Sequence, residues 1–129
     1  MKMRVGIDHV EVSRIARAMR TPRFLPRYFG REEIAHFESK GFAPTGVAAN
    51  FCAKEAFAKA LGTGVRGFSL REVQTLREGS GRPYFVFSGG ALALVEQSGL
   101  TFEVSLSHDK RYALAQVIGY STKEGGQCG

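Results

Sequence analysis

The chain has 129 residues, of which 43% are hydrophobic and 23% charged, and a formal net charge of +6. That length fits one domain with one modest core, and the composition is too apolar for a disordered chain. No apolar run approaches the ~20 residues of a membrane span, and Asp8 interrupts the opening MKMRVGIDHV before a signal-peptide core forms, so a soluble cytoplasmic protein is expected.

In chain order, MRVGID is β-rich and predicts a strand ending on Asp8. Ser13 is placed to cap a first helix that carries Arg14, Ile15, Ala18 and Met19. Pro22 ends it or starts the next, and PRFLPRYF reads as a short helical segment. Gly30 precedes a helix over REEIAHFESK, which Gly41 stops. Thr45 is the expected cap of a long helix that runs to Leu61, with Gly62 as its stop. The period then changes. REVQTLRE and YFVF read as strands around the turn EGSGRP, and Ser88 precedes a helix over GGALALVEQ that closes at Gly99. TFEVSLS and RYALAQVI alternate as strands joined by the tight loop HDK. This order predicts an α+β fold, helices packed on one antiparallel sheet, over residues 1–120, with a polar, flexible tail at 121–129.

Cys52 and Cys128 lack metal-ligand spacing and read as reduced thiols. The positive charge is uneven. Arg14, Arg17, Arg20, Arg23, Arg27 and Arg31 follow Glu11 with no further acid before Arg31, which suits a polyanionic or acidic partner and equally a solvated helix face.

The long helix poses the sharpest question. Counting 100° per residue, Ala49, Ala53, Phe57, Ala60 and Leu61 form a core face opposite Glu55. Ala48, Phe51, Cys52, Ala58 and Lys59 fall within about 60° of Glu55, where a solvated helix would carry polar residues. The Glu55 face is therefore expected to pack against something, and a covered carboxylate needs a partner. One reading is an i,i+4 ion pair of Glu55 with Lys59; the other gives Glu55 to a metal and Lys59 to a phosphate. Asp8, at the end of a strand, adds a second hard-oxygen ligand, and two carboxylates beside a Lys suit Mg²⁺ with a pyrophosphate. Gly62, Thr63 and Gly64 follow at once, allowing close backbone approach to phosphate, although no P-loop is present. A Ser107–His108–Asp109 triad is conceivable but weak, since adjacent residues seldom converge and no G-x-S-x-G elbow occurs.

GIDHVEVSRI, FCAKEAFAKALGTG, GRPY and VSLSH…YALAQV resemble, in order and spacing, the holo-acyl-carrier-protein synthases, the short trimeric class of 4′-phosphopantetheinyl transferases; the likeness covers residues 4 to 118. The resemblance implies Mg²⁺-dependent transfer of the phosphopantetheine arm of coenzyme A to a serine of apo acyl carrier protein, for fatty acid biosynthesis, leaving adenosine 3′,5′-bisphosphate. It implies Mg²⁺ on Asp8 and Glu55, and Lys59 at the phosphates. Coenzyme A contacts are implied for Gly62, Thr63, Gly64, Arg82, Pro83, Ser107 and His108, partly across subunits of a homotrimer with interface active sites. Acidic carrier protein is expected on Arg14, Arg17, Arg23, Phe24 and Arg27. The proton acceptor is open between Glu55 and a metal-bound water.

Asn50 departs from the family, where Arg is common, so that a phosphate or carrier contact is missing, with Lys54 or Lys40 as candidate replacements; His9 replaces an aliphatic residue. A rival reading, a basic RNA-binding module, leaves Asp8, Glu55 and Lys59 unexplained and lacks an aromatic RNP signature, so no nucleic-acid partner is expected. A Mg²⁺-dependent phosphohydrolase is the other rival.

Overall fold

In the computed structural model, which describes residues 1–121, the opening strand β1 spans Lys2–Glu11 and runs past Asp8 on both sides of the predicted segment. The end of the chain, including Cys128 and nearly all of the expected flexible tail, lies outside the described residues; Ser121 itself closes the last strand. Along β1, Gly6 and Val10 are buried and Asp8 half-buried, whereas Met3, Val5 and Ile7 are more than half exposed. The strand therefore has one face against the protein and one apolar face open.

The chain then passes directly into α1 (Val12–Ala18), so Glu11 holds the N-cap position and Ser13, already inside the helix, makes no capping bond. α2 (Phe24–Tyr28) and α3 (Arg31–Ser39) follow. α4 spans Pro44–Leu61; Ala43 is its N-cap and Pro44 its first residue, which displaces Thr45 from the expected cap. Proline suits that position because its missing N–H would have no helical partner there. Gly62 (φ 90°) ends α4 as expected, its N–H donating to the carbonyls of Ala58 and Lys59.

Residues 70–72 form a 3-10 turn closed by Ser69 and Glu72, so β2 begins at Val73 (Val73–Arg77) rather than at Arg71. β3 (Pro83–Phe87), α5 (Gly89–Ser98), β4 (Thr101–His108) and β5 (Tyr112–Ser121) complete the order. The α+β class holds, but the single sheet divides in two: an antiparallel β1-β5-β4 sheet and a β2-β3 hairpin. The reason lies in the aromatic side chains. Phe85 and Phe87 turn inward from β3 and, with Phe102 of β4, surround Phe57 of α4 at ring separations of 5.0–5.7 Å. The hairpin joins the core through rings rather than through backbone hydrogen bonds to the larger sheet.

α4 crosses the inner face of the larger sheet, burying Ala49, Cys52, Ala53, Ala56, Phe57 and Ala60. Its approach depends on Gly6. A Cβ there would overlap the Ala56 carbonyl and lie 2.6 Å from the Ala60 nitrogen. The close contact sets α4 directly over Asp8, which shares the inner face with Gly6 and Val10.

Candidate active site

α4 carries two polar clusters. The first lies where it passes β1. Lys59 Nζ donates to Asp8 Oδ1 at 3.1 Å and to the Ile7 carbonyl at 3.0 Å. Glu55 is half-buried, and burial, then the charge of Asp8, raises the proton affinity of its carboxyl against the opposing pull of Lys59. The partner of Lys59 is thus Asp8, not Glu55 as the i,i+4 reading held. Cys52 stands beside the same carboxylates; burial foremost, then Asp8, pushes its thiol up to about 12, and Sγ donates to the Ala113 carbonyl at 3.4 Å. It is a reduced, inert core residue. Ala48, Cys52 and Ala58, flanking Glu55, are buried, as the apolar surroundings of that face required.

Among the described residues, no group of three or more His, Cys, Asp or Glu is placed to hold a metal ion by itself. Two carboxylates, one of them with its charged form disfavoured by burial and then by the other, nevertheless fit a hard cation whose other ligands are water and substrate oxygens, as Mg²⁺ takes. Beyond Lys59, the loop of Gly62, Thr63 and Gly64, with Arg66 and Gly67, lines an open cleft of about 690 Å³. The Thr63 hydroxyl donates to the Gly64 carbonyl at 2.9 Å.

The second cluster is buried. Lys54 Nζ donates to Glu33 Oε1 and to the carbonyls of Leu70 (3.0 Å) and Val73 (2.7 Å). Glu33 also accepts from the Gly30 and Thr75 N–H groups and from Asn50 Nδ2, each at 3.0 Å. Lys54, Glu33 and Asn50 are all fully buried. Burial pulls Lys54 down to about 8 against the charge of Glu33. Lys54 is therefore no substitute for a missing charge at Asn50. A different cation reaches that point: Arg77 Nη2 donates to Asn50 Oδ1 at 2.9 Å.

The other expected site residues are dispersed within one chain. Ser107 pairs with Leu114, and His108 follows with the opposite pleat, so they do not converge. Asp109 is a turn residue: its carboxylate accepts from the Arg111 and Tyr112 N–H groups at 2.8 Å, which holds it below its usual value. The triad reading fails on this geometry. Arg82 is ion-paired with Glu78 (3.5 Å) and Glu103 (2.7 Å), and Pro83 opens β3. Among the described residues, no hydrogen bond or ion pair joins Arg82, Pro83, Ser107 or His108 to the Asp8–Glu55–Lys59 cluster. The basic face is intact: Arg14, Arg17, Arg23 and Arg27 are exposed, and Arg23, Phe24 and Arg27 help line a cleft of about 220 Å³.

A family model described as the 4′-phosphopantetheinyl transferase superfamily matches residues 4–117. The chain belongs to this family. A holo-[acyl-carrier-protein] synthase of Clostridium beijerinckii is 44% identical over 115 residues, 88% of this chain and 94% of its own. The crystal structure of the Neisseria meningitidis holo-[acyl-carrier-protein] synthase superposes with a TM-score of 0.85 at 32% identity, covering 92% of this chain and 98% of that one. A holo-(acyl-carrier-protein) synthase from Bacillus anthracis, solved in complex with CoA (3′,5′-ADP), superposes with a TM-score of 0.76 at 29% identity, covering 94% and 100%. The family assignment makes the chain an enzyme, a transferase, and sets the two α4 clusters in that context.

Proposed function

We propose that the chain transfers the 4′-phosphopantetheine of coenzyme A to a serine of an acidic apo acyl carrier protein, releasing adenosine 3′,5′-bisphosphate, in the cytoplasm and for fatty acid synthesis. The observation that carries the reading is the meeting of Asp8, Glu55 and Lys59 at the β1–α4 contact, beside the glycine loop.

Asp8 and Glu55 would hold Mg²⁺, which when bound supplies charge neutralisation to a diphosphate. The chain's own groups account for the rest. Lys59 uses two of its three N–H donors on Ile7 and Asp8 and keeps one for a phosphate oxygen. Its charge would stabilise the departing bisphosphate as the serine oxygen bonds to the β-phosphorus and the diphosphate P–O bond breaks. The serine proton would pass to Glu55 or to a water beside it. The Gly62–Gly64 loop would admit the coenzyme, completed by Arg82, Pro83, Ser107 and His108 from adjoining subunits.

Two surfaces support the partners. Arg14, Arg17, Arg23 and Arg27 are exposed without a carboxylate within 4 Å among the described residues, and Phe24 adds an apolar floor. This face would take the acidic carrier, more weakly in high salt. The outer side of the larger sheet exposes Val5 at 54% and Ile7 at 53%, with Leu114 beside them; an apolar face of this kind favours subunit contact, here a homotrimer.

The test is the intact mass of an apo acyl carrier protein after incubation with the chain, coenzyme A and Mg²⁺. A gain of one phosphopantetheine that EDTA abolishes is expected. Carriers left unmodified while Mg²⁺ and coenzyme A are present would overturn the reading, and coenzyme A cleaved without transfer would favour a phosphohydrolase.

A further inference from the structure

The loop that lines the open cleft begins three residues beyond Lys59, and residues 62–67 are all exposed. Among the described residues, the hydrogen bonds of residues 63–67 stay inside the loop. The Thr63 hydroxyl and the Arg66 N–H both donate to the Gly64 carbonyl, at 2.9 and 3.0 Å. Neither a helix nor a strand ladder holds this segment. Its place is therefore set by its two ends and by what lies beneath it.

One end is Gly62, the stop of α4. At the other, Phe68 lays its ring against Phe57 at 5.7 Å, and Ser69 opens the 3-10 turn. Glu72 fastens that second end. Its Oε1 accepts from the Ser69 N–H at 3.1 Å and from the Ala91 N–H of α5 at 3.3 Å. Its main chain makes the same two links: its N–H donates to the Ser69 carbonyl at 2.9 Å, and its carbonyl accepts from the Ser88 N–H at 3.0 Å. Ser88 holds the N-cap position of α5, yet its side chain makes no capping bond. A carboxylate from another element takes that role, and negative charge is favoured at a helix N-terminus.

The joint has no spare room. A Cβ on Gly90 would lie 2.4 Å from the Gly67 carbonyl oxygen, and one on Gly89 would lie 2.2 Å from Glu72 Oε2. Helix propensity alone would not select two glycines at the start of α5. The close approach accounts for them: the first turn of α5 is the floor on which the loop rests, and Glu72 ties the two together.

We propose that Glu72 is a positioning residue for coenzyme A, fixing from outside the cleft the loop that receives it. The inference rests on the function proposed above for the identity of the ligand. Freed from Glu72, the loop would become ordered only as the ligand binds, and the entropy lost in that step would come out of the affinity.

The experiment is titration calorimetry of the full chain with coenzyme A and Mg²⁺, beside amide hydrogen exchange of the free chain. Glu72→Ala is expected to bind coenzyme A about tenfold more weakly, the scale of ordering one freed residue. Its amides over residues 63–69 are expected to exchange faster, with those of α4 unchanged. Glu72→Gln keeps an acceptor oxygen in place of Oε1 and is expected to bind within about threefold of wild type. A folded Glu72→Ala chain with wild-type affinity overturns the proposal. So does a Glu72→Gln chain as weak as Glu72→Ala, since charge rather than anchoring would then be at work. Should Glu72→Ala not fold, the wild-type chain decides. Its Ser69 N–H is expected to exchange far more slowly than the Val65 N–H, which has no acceptor among the described residues, and equal rates overturn the proposal. A wild-type chain that does not bind coenzyme A sinks the transferase reading itself, whereas equal binding by wild type and Glu72→Ala sinks only the role of Glu72.

Discussion

Lys54 and Lys59 stand on the same helix and spend their N–H donors differently. Lys54 places all three on Glu33, Leu70 and Val73, inside the protein and away from water. Lys59 places two on Ile7 and Asp8 and remains exposed. The adjacent pair Lys54–Glu55 is split in the same way: Lys54 turns toward α3 and β2, Glu55 toward β1. A motif that reads in sequence as one charged unit is thus two devices. One holds α4 in register, and the other equips its far side for chemistry. Full satisfaction marks the structural cation, and an unfilled donor marks the cation available to substrate.

The largest effect expected from this contrast is on rate. Glu55→Gln should lower transfer by about a hundredfold or more, the scale for losing a charge-stabilising group at a reacting phosphate. It should leave the melting temperature at or slightly above wild type, because the cost of burying the charge, and then its repulsion with Asp8, go with it. Transfer assays beside thermal melts check both halves, and a Glu55→Gln chain that melts early would erase the distinction between the clusters. Lys54→Met reverses the pattern. Breaking a buried pair typically costs about 3–5 kcal/mol, roughly a fifth or more of a small domain's stability. Denaturant melts should show that loss. Changing Glu33→Leu as well should not restore it, since the Gly30, Asn50 and Thr75 donors would then lack an acceptor.

The same contrast explains what was legible in the sequence. Glu55 and Lys59 could be singled out because a carboxylate amid small apolar residues is anomalous at helical spacing, and Asp8 because it closes the predicted first strand. The glycine stop at Gly62 and the α+β order were visible for similar local reasons. Glu33 is one of many charges in REEIAHFESK, and only its spacing from Gly30, that of an N-cap and N3 pair, sets it apart. Arg77 carried no local signal, since its meaning comes from Asn50 on another element. Gly6 looked like part of a motif, and only the packing shows it as the gap through which α4 reaches β1. The division into two sheets was likewise hidden, because alternation reports which face of a strand is apolar and not which strand lies beside it.

A smaller effect comes from Lys59→Gln. The Lys59–Asp8 pair is partly solvated, with 55% of the lysine side chain exposed, so its loss should cost under about 1 kcal/mol. Transfer should still fall by about tenfold or more, because the donor left for phosphate disappears. Equal small changes in both would return Lys59 to the surface.

The smallest effect concerns the one flaw in the buried cluster. Thr75 gives its backbone N–H to Glu33 and its carbonyl to Asn50, yet its side-chain Oγ1 has no hydrogen-bond partner among the described residues. Thr75 is 1% exposed, so this hydroxyl is desolvated without compensation. Thr75→Val replaces it with a methyl group of similar size on a β-strand, where valine is favoured. The variant should gain up to about 1 kcal/mol, read as a higher denaturation midpoint with unchanged slope. Transfer should stay at the wild-type rate, because Thr75 belongs to the cluster that holds α4 rather than to the one that meets substrate. A loss of stability would show instead that the hydroxyl has a partner in solution, most simply a buried water bridging it to the Glu33 network.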